Sequence, residues 1–433
     1  MKTLLQKGDK KLLNAWAFYD WANSVYSLVI ASAIFPIFYD AIFSEIGQET
    51  VEVFGKDWKS SSLIFGTTAV AFSIVAIISP LLSGVADFLG NKKFFLKFFC
   101  YLGAFSTIGL SFFYVEHIFL GLTLYLLALI GFWGSLVFYN SYLPDIAHVD
   151  QHDSISAKGF SMGYIGSVIL LVICLIMVMG QETDEERVEM MRFSFVLTGI
   201  WWIVFSQYTY LYLPKGNKSE GKLSKDIFYQ GFRELKAIWS EMQHKPRLKS
   251  YLIAFFVYSM GVQTVMLAAS YFGAEELDWG TTDKTLGLII SILLIQLVAV
   301  GGAFLTSKLS ARIGNVKALI VINVIWIAIC AWAFFVYTPI QFYITAGVVG
   351  LVMGGVQALS RSTYAKFLPE TDDTTSYFSF YDVSEKIGIV FGMLMFLGMQ
   401  ELTGSMRYSI IFLIVFFGVG VLLLKRVPKV EDK

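Results

Sequence analysis

The sequence predicts an all-α membrane protein of twelve transmembrane helices in two pseudo-symmetric six-helix bundles, and three observations carry that prediction. First, 56% of the 433 residues are hydrophobic and only 15% are charged, against about 25% charged in a soluble domain, too few to clothe a water-facing surface. Second, the apolar residues fall in blocks of about 20, the length needed to cross a bilayer core. Third, short segments of the first half recur in the second at a constant offset.

Reading apolar blocks against polar breaks places the spans at 15–43, 61–82, 98–115, 118–140, 158–180, 192–213, 249–273, 285–306, 317–337, 342–364, 378–401 and 408–424. Breaks of a few residues at Glu116-His117 and Thr338-Pro339 predict tight hairpins between antiparallel helices. With the N-terminus inside, 26 lysines and arginines fall in inner segments and 6 in outer loops, Lys386 lying within a span. That bias orients both termini to the cytoplasm. Short loops suit a bacterial inner (plasma) membrane. The N-terminus has no short apolar stretch ending in a small-residue cleavage site, so no signal peptide is expected.

The longest polar segment divides the chain into an N-terminal bundle (1–213), a cytoplasmic linker (214–248) and a C-terminal bundle (249–433). Within the linker, Ile227, Phe228, Gly231, Phe232, Leu235, Ile238, Trp239 and Met242 recur at helical spacing among charges, the pattern of an amphipathic helix in the membrane interface. "SGVADFLGNKK" from Ser83 recurs as "SKLSARIGNVK" from Ser307, and "YLPD" from Tyr142 as "FLPE" from Phe367, offsets of 224 and 225. Two matches in equivalent inner loops imply halves related by an axis along the membrane normal.

Zero net charge gives no case for a nucleic-acid partner. Cys100, Cys174 and Cys330 lie inside apolar blocks and read as packing rather than a disulfide framework. His148 and His152, with Asp150 and Asp153 nearby, lack a third firm ligand, so no metal is assigned. With no P-loop, serine-triad or CxxC pattern, neither enzymatic activity nor a cofactor is expected.

The segment from Ser83 to Lys93 resembles the loop signature of the major facilitator superfamily between helices two and three. Asp87, Gly90, Lys92 and Lys93 match it, while Ser83 replaces a glycine and Phe88 a basic residue. "WAFYDWANSVY" from Trp16, "GGVQALSRSTYAKFLPE" from Gly354 and "YDVSEKIG" from Tyr381 look like the autophagy-related vacuolar effluxer family and its bacterial relatives. The resemblance implies a twelve-helix fold, a cavity lined by helices one, four, seven and ten, an Asp87 that caps a neighbouring helix, and, for fungal members, amino-acid efflux. One departure is "YSMGVQT" with Ser259 and Met260, where an acid is expected near the start of helix seven.

Asp20, Asn23, Ser24, Ser27 and Ala31 lie within about 60° of one direction on span 1. Comparable stripes are Ser259, Gln263, Met266 and Ser270; Gly350, Gly354, Gln357 and Arg361; and Tyr381, Glu385, Gly388 and Gly392, with a weaker face at Gly131, Ser135 and Tyr139. Such stripes either line a channel or pack helices. The candidate substrate cavity is Asn23, Ser24, Ser27, Gln263, Gln296 and Gln357. Its neutral midplane suits a neutral or zwitterionic solute such as an amino acid; sugars and peptides are the alternatives.

Ionised side chains inside a bilayer cost at least about 2.5–3.5 kcal/mol, so they mark function or pairing. Asp20, Arg361, Asp382, Glu385 and Lys386, read as within two turns or so of the cytoplasmic ends of their spans, and Asp87 in the signature loop are the candidates for proton coupling or gating. Asp382 and Lys386, four apart, can pair along one helix. Glu385 and Arg361 can form either a latch that breaks on inward opening or a static pair. Asp20 or Glu385 is the candidate for a coupling proton. The sequence thus points to a secondary transporter working by alternating access, with a small-molecule substrate, the lipid bilayer and protons as partners; the rival is a receptor or sensor on the same fold.

Overall fold

A computed structural model describes residues 5–45, 50–53, 56–216, 227–281 and 283–429. Among these, eleven helices are long and apolar enough to cross a membrane. They are span 1 (Lys10–Phe43), span 2 (Ser62–Leu89), span 3 (Lys92–Phe112), span 4 (Val115–Ile146), span 5 (Val149–Met179), span 6 (Asp184–Tyr212), span 7 (Pro246–Glu275), span 8 (Lys284–Ile313), span 9 (Asn315–Ala333), span 10 (Pro339–Phe367) and span 12 (Met406–Lys425). Span 11 is Thr374–Thr403, 30 residues long, its apolar run interrupted by Asp382, Glu385 and Lys386. Helical hydrogen bonding carries most spans several residues beyond their apolar blocks.

The breaks are where the polar residues placed them. Span 3 ends in a 3₁₀ turn at Leu110–Phe112, and a second turn at Val115–His117 starts span 4. Thr338 caps span 10, accepting the Gln341 N–H at 3.4 Å, with Pro339 in the first turn, where a missing N–H costs nothing. Gly90, at φ 59°, closes span 2 in the left-handed region that glycine tolerates. One addition is an antiparallel hairpin, Thr50–Val53 with Lys56–Lys59, between spans 1 and 2; strands this short carry no block pattern.

The linker helix, Ile227–Gln243, forms as its periodicity predicts; residues 217–226 of the linker lie outside the described residues. It buries Ile238 and Met242 and leaves Phe228, Phe232 and Trp239 exposed, as suits an interfacial helix. Gly231 packs directly on Gly84 of span 2, where a Cβ at Gly84 would sit 2.4 Å from the Gly231 carbonyl. The N-terminal segment shares this face, since the Gly8 N–H donates to the Ile146 carbonyl at 2.7 Å and Lys93 N–H to that of Lys215 at 3.2 Å. We call it the linker face.

Lipid tails offer no hydrophobic drive between helices, so close packing at small residues holds each bundle together. Gly103 and Gly131 join spans 3 and 4, while Gly350 and Gly354 rest on the Ile295 and Ala299 carbonyls of span 8. Between the bundles, span 2 packs on span 11, and span 5 on spans 8 and 10.

Candidate functional site

The densest polar contact between the bundles is built around Arg361 of span 10. Its Nη1 and Nη2 donate to Asp20 Oδ2 at 3.3 and 3.2 Å, Nη1 to Asn140 Oδ1 at 3.2 Å, Nε to Ser156 Oγ at 3.0 Å, and Nη2 to the Ser156 carbonyl at 3.0 Å. Tyr139 donates to the same Asp20 oxygen at 2.8 Å. Trp16 and Phe160 cover the guanidinium at 4.7 and 4.1 Å. Arg361 and Asp20 are 3% and 4% exposed, so the second bundle inserts one arginine into a fitted socket of the first. Gly159 makes the room: a Cβ there would lie 2.4 Å from Asp20 Oδ2 and 3.0 Å from Arg361 Nη2. A buried charge left without its partner costs about 3–5 kcal/mol, so neither Arg361 nor Asp20 can stay buried here without the other.

Two further contacts flank the socket. Asp87, at the end of span 2, accepts the backbone N–H of Ser376 at 2.6 Å and of Thr375 at 3.3 Å, capping the start of span 11 where the helix dipole favours an anion. Beside it Lys92 meets Asp145 at 2.5 Å, the Ser141 carbonyl at 3.0 Å and Thr374 Oγ1 at 2.8 Å. On the other flank Asp153, in the first turn of span 5, accepts from Lys366 at 2.6 Å and from Ser310 and Asn315 at 2.8 Å each. Asp153 thus ties span 5 to spans 8, 9 and 10, and the neighbouring His152 ring meets the Ala147 carbonyl at 3.2 Å.

Deeper in the protein Lys386, 1% exposed, pairs with Asp382 one turn away and with Glu385 at 3.1 Å. Trp133 of span 4 covers its ammonium at 4.0 Å, a cross-bundle contact, and Gln263 donates to Glu385 at 2.8 Å. Because span 11 starts at Thr374, Lys386 lies about 18 Å along the helix at 1.5 Å per residue. This is a correction: the charge lies well inside the helix rather than near its end, and the single lysine faces two carboxylates, so this part of the interior is charged. A second correction concerns the partners: Arg361 takes Asp20, and Glu385 takes Lys386 and Gln263.

The neutral candidates are distributed as follows. Asn23 is 1% exposed, with its Nδ2 unpartnered. Ser24 abuts span 5, where a Cβ at Gly163 would be 2.5 Å from its hydroxyl. Gln357 accepts from Tyr164 and donates to Met266 Sδ at 3.7 Å, joining spans 5, 7 and 10. Ser27 and Gln296 are half-buried, and Gln296 takes no part in these hydrogen bonds. The glycines of the stripes pack helices: Gly350 and Gly354 on span 8, Gly388 and Gly392 on span 7.

Sequence reasoning placed Tyr139 on a weaker polar face but missed the socket residues Asn140 and Ser156, together with Trp133 and the contacts of Asp153. One signal was available: Gly159, Gly163 and Gly166 in "KGFSMGYIGS" have the small-residue spacing of close helix approach, and they mark the wall of span 5 that receives Asp20, Ser24 and Trp21.

Comparison with known proteins supplies the family context. The family model described as "Vacuole effluxer Atg22 like" matches residues 8–432. The chain is 31% identical over 430 residues to the uncharacterized MFS-type transporter YxiO of Bacillus subtilis, covering 98% of this chain and 96% of the other. It is 26% identical to autophagy-related protein 22 of Vanderwaltozyma polyspora, over 86% of this chain and 77% of that one. Among solved structures, the Escherichia coli fucose:proton symporter superposes with a TM-score of 0.69 at 14% identity, covering 97% of this chain and 98% of the other. The human organic anion transporter MFSD10 gives 0.68 at 13% identity, over 96% and 98%. At such identities the likeness shows the fold alone, and that is the major facilitator fold.

Proposed function

The chain belongs to the Atg22-like vacuole effluxer family of major facilitators, and on that premise we propose that it moves a small neutral or zwitterionic organic solute, an amino acid or similar, by alternating access of its two bundles. The observation that carries this reading is the Arg361 socket. A permanent bundle interface is most simply made apolar, whereas a joint that must open to water and close again needs groups soluble in both settings. Arg361, Asp20, Asn140 and Ser156 satisfy one another when joined and can be hydrated when parted. The bundle limits are taken as 1–213 and 249–433, joined by 214–248. The linker face is taken as cytoplasmic, in a bacterial inner membrane, on the lysine and arginine bias.

Within this reading Asp20, Asp87 and Arg361 gate, Asn23, Ser24, Ser27, Gln263, Gln296 and Gln357 serve the solute path, and Asp382 holds Lys386. Glu385 is the favoured proton carrier, because its side chain retains 20% exposure while that of Asp20 has 5%. The test is uptake and counterflow in proteoliposomes with amino acids, dipeptides, sugars and nucleosides, with and without a pH gradient. Amino-acid counterflow supports the assignment, and counterflow of sugars or dipeptides alone redirects the solute class. Binding without counterflow for every solute would replace transport with a receptor role. Gradient-driven accumulation that survives both Asp20→Asn and Glu385→Gln would remove proton coupling through these carboxyls.

A further inference from the structure

The linker helix, Ile227–Gln243, touches both bundles. Gly231 packs on span 2, where a Cβ of its own would lie 3.0 Å from the Leu81 carbonyl. Trp239 lies against Phe380 of span 11, ring centroids 5.5 Å apart. The helix therefore crosses the bundle boundary beside the Asp87 latch, and the boundary cannot open there while both contacts hold.

The same contacts fix its depth. Gly84, on which Gly231 rests, stands five residues before the end of span 2 at Leu89, about 7 Å into the span at 1.5 Å per residue. Phe380 stands six residues beyond the start of span 11 at Thr374, about 9 Å in. An interfacial helix sinks its apolar face about 5–10 Å into the boundary between headgroups and acyl chains, which is this level.

The order of residues around the helix suits that setting. Gly231, Ile238 and Met242 form the buried stripe. At about 100° per residue, exposed Phe228, Phe232 and Trp239 fall within about 40° of one another, to one side of that stripe. Lys236 and Arg233, both exposed, come next, farthest from the protein. Glu234 and Glu241 lie on the opposite side of the stripe. Glu234 lines a cavity with Asp372 and Asp373 of the loop before span 11, whereas Trp239 meets span 11 seven residues deeper than Asp373. Around the helix the order is thus protein, aromatic edge, cations and acids, matching core, acyl boundary, headgroups and water.

We infer that the linker helix is a clamp seated by anionic phospholipid. Phe228, Phe232 and Trp239 enter the leaflet beside the linker face, and Arg233 and Lys236 bind lipid phosphates there. Seated in this way, the helix holds spans 2 and 11 together and opposes opening of the linker face. Each basic side chain near an anionic surface strengthens attachment about fivefold. The clamp rests on the parting of the bundles in the reading above, and not on its solute.

The test places the full chain in nanodiscs of phosphatidylcholine, with or without added phosphatidylglycerol. It reads hydrogen exchange of residues 227–243 and the alkylation rate of Ser362→Cys, a buried position next to Arg361. With phosphatidylglycerol the helix should gain protection and the cysteine should react about tenfold more slowly, both effects fading as salt rises. Arg233→Gln with Lys236→Gln should abolish the response to phosphatidylglycerol. Phe228→Ser with Phe232→Ser should lower protection in both lipids. All four side chains are exposed, so neither variant disturbs the core. Equal protection in the two lipids, or an undiminished response in the glutamine variant, overturns the lipid site. Protection that follows the lipid while alkylation does not overturns the clamp. Protection that requires two chains in one nanodisc assigns the aromatic edge to a second copy and overturns the lipid site as well. Lipid-dependent alkylation in a protein without counterflow keeps the clamp and discards transport, while counterflow with lipid-independent protection and alkylation does the reverse.

Discussion

The two latches that flank the Arg361 socket join the same bundles by different chemistry. On one side Asp87 holds two backbone amides at the start of span 11. On the other Asp153 holds three side chains, those of Lys366, Ser310 and Asn315. The repeat explains the difference. At the offset of 224 the position of Asp87 is filled by Ala311, so the second copy of the loop cannot cap span 5. The acid comes instead from span 5 itself, and the loop supplies Ser310 and Asn315 as donors. Duplication preserved the place of the contact and exchanged which side carries the charge. A latch on backbone amides has its donors fixed by the helix, while one on a lysine depends on a mobile side chain and its charge.

The largest effect is expected where both latches lose their common anchor. Arg361→Ala leaves Asp20 buried and unpaired, weakening the joined state by about 3–5 kcal/mol. Alkylation of a cysteine introduced at Ser362, which is buried, should then accelerate strongly; the native cysteines are buried and give little background. Gly159→Ala should act in the same direction by steric displacement of Asp20. An alkylation rate unchanged by Arg361→Ala would remove the socket from gating altogether.

Next in size is Asp87→Ala, which strips an acceptor from two amides and should cost about 1–3 kcal/mol, with little dependence on salt. Lys366→Met leaves the buried Asp153 without its charged partner and should cost about 1–3 kcal/mol, an effect that shrinks modestly as ionic strength rises. The double exchange of Asp153→Lys with Lys366→Asp should recover part of that loss. Equal salt dependence at Asp87 and Lys366, measured by the same alkylation rate, would erase the distinction drawn between the latches.

The smallest effect concerns the linker helix, which adjoins the Asp87 latch. Burial and then the nearby Asp373 raise Glu234 above the ordinary carboxylate range, and burial and then Asp372 raise Asp373. Both carboxyls hold protons more tightly when the helix is docked than when it is free. Docking is therefore favoured at low pH and weakens as pH rises through the raised values. Protection of residues 227–243 against hydrogen exchange, corrected for the intrinsic pH dependence of amide exchange, should fall as pH rises above the ordinary carboxylate range, and Glu234→Gln should flatten that fall. The Asp153 side has no linker helix and should show no such change.

How legible these features were depends on their range. The twelve spans, the linker helix and the hairpin at Thr338-Pro339 were readable because each follows from local composition. Asp382 and Lys386 were readable as a pair because four residues on a helix place them together. The partner of Arg361 was not, since Asp20 is 341 positions away and Glu385 lies much closer in sequence. Asp153 read as part of a histidine-rich loop, and only folding brought it against span 8.

What the sequence determined by itself is the solvent, the number of crossings and the duplication, because lipid forces every backbone bond to be made within its own apolar block. What tertiary structure decided is which charges meet and which glycines pack. Those outcomes depend on the rotation of each helix about its axis and on neighbours hundreds of residues away, and no local pattern fixes either.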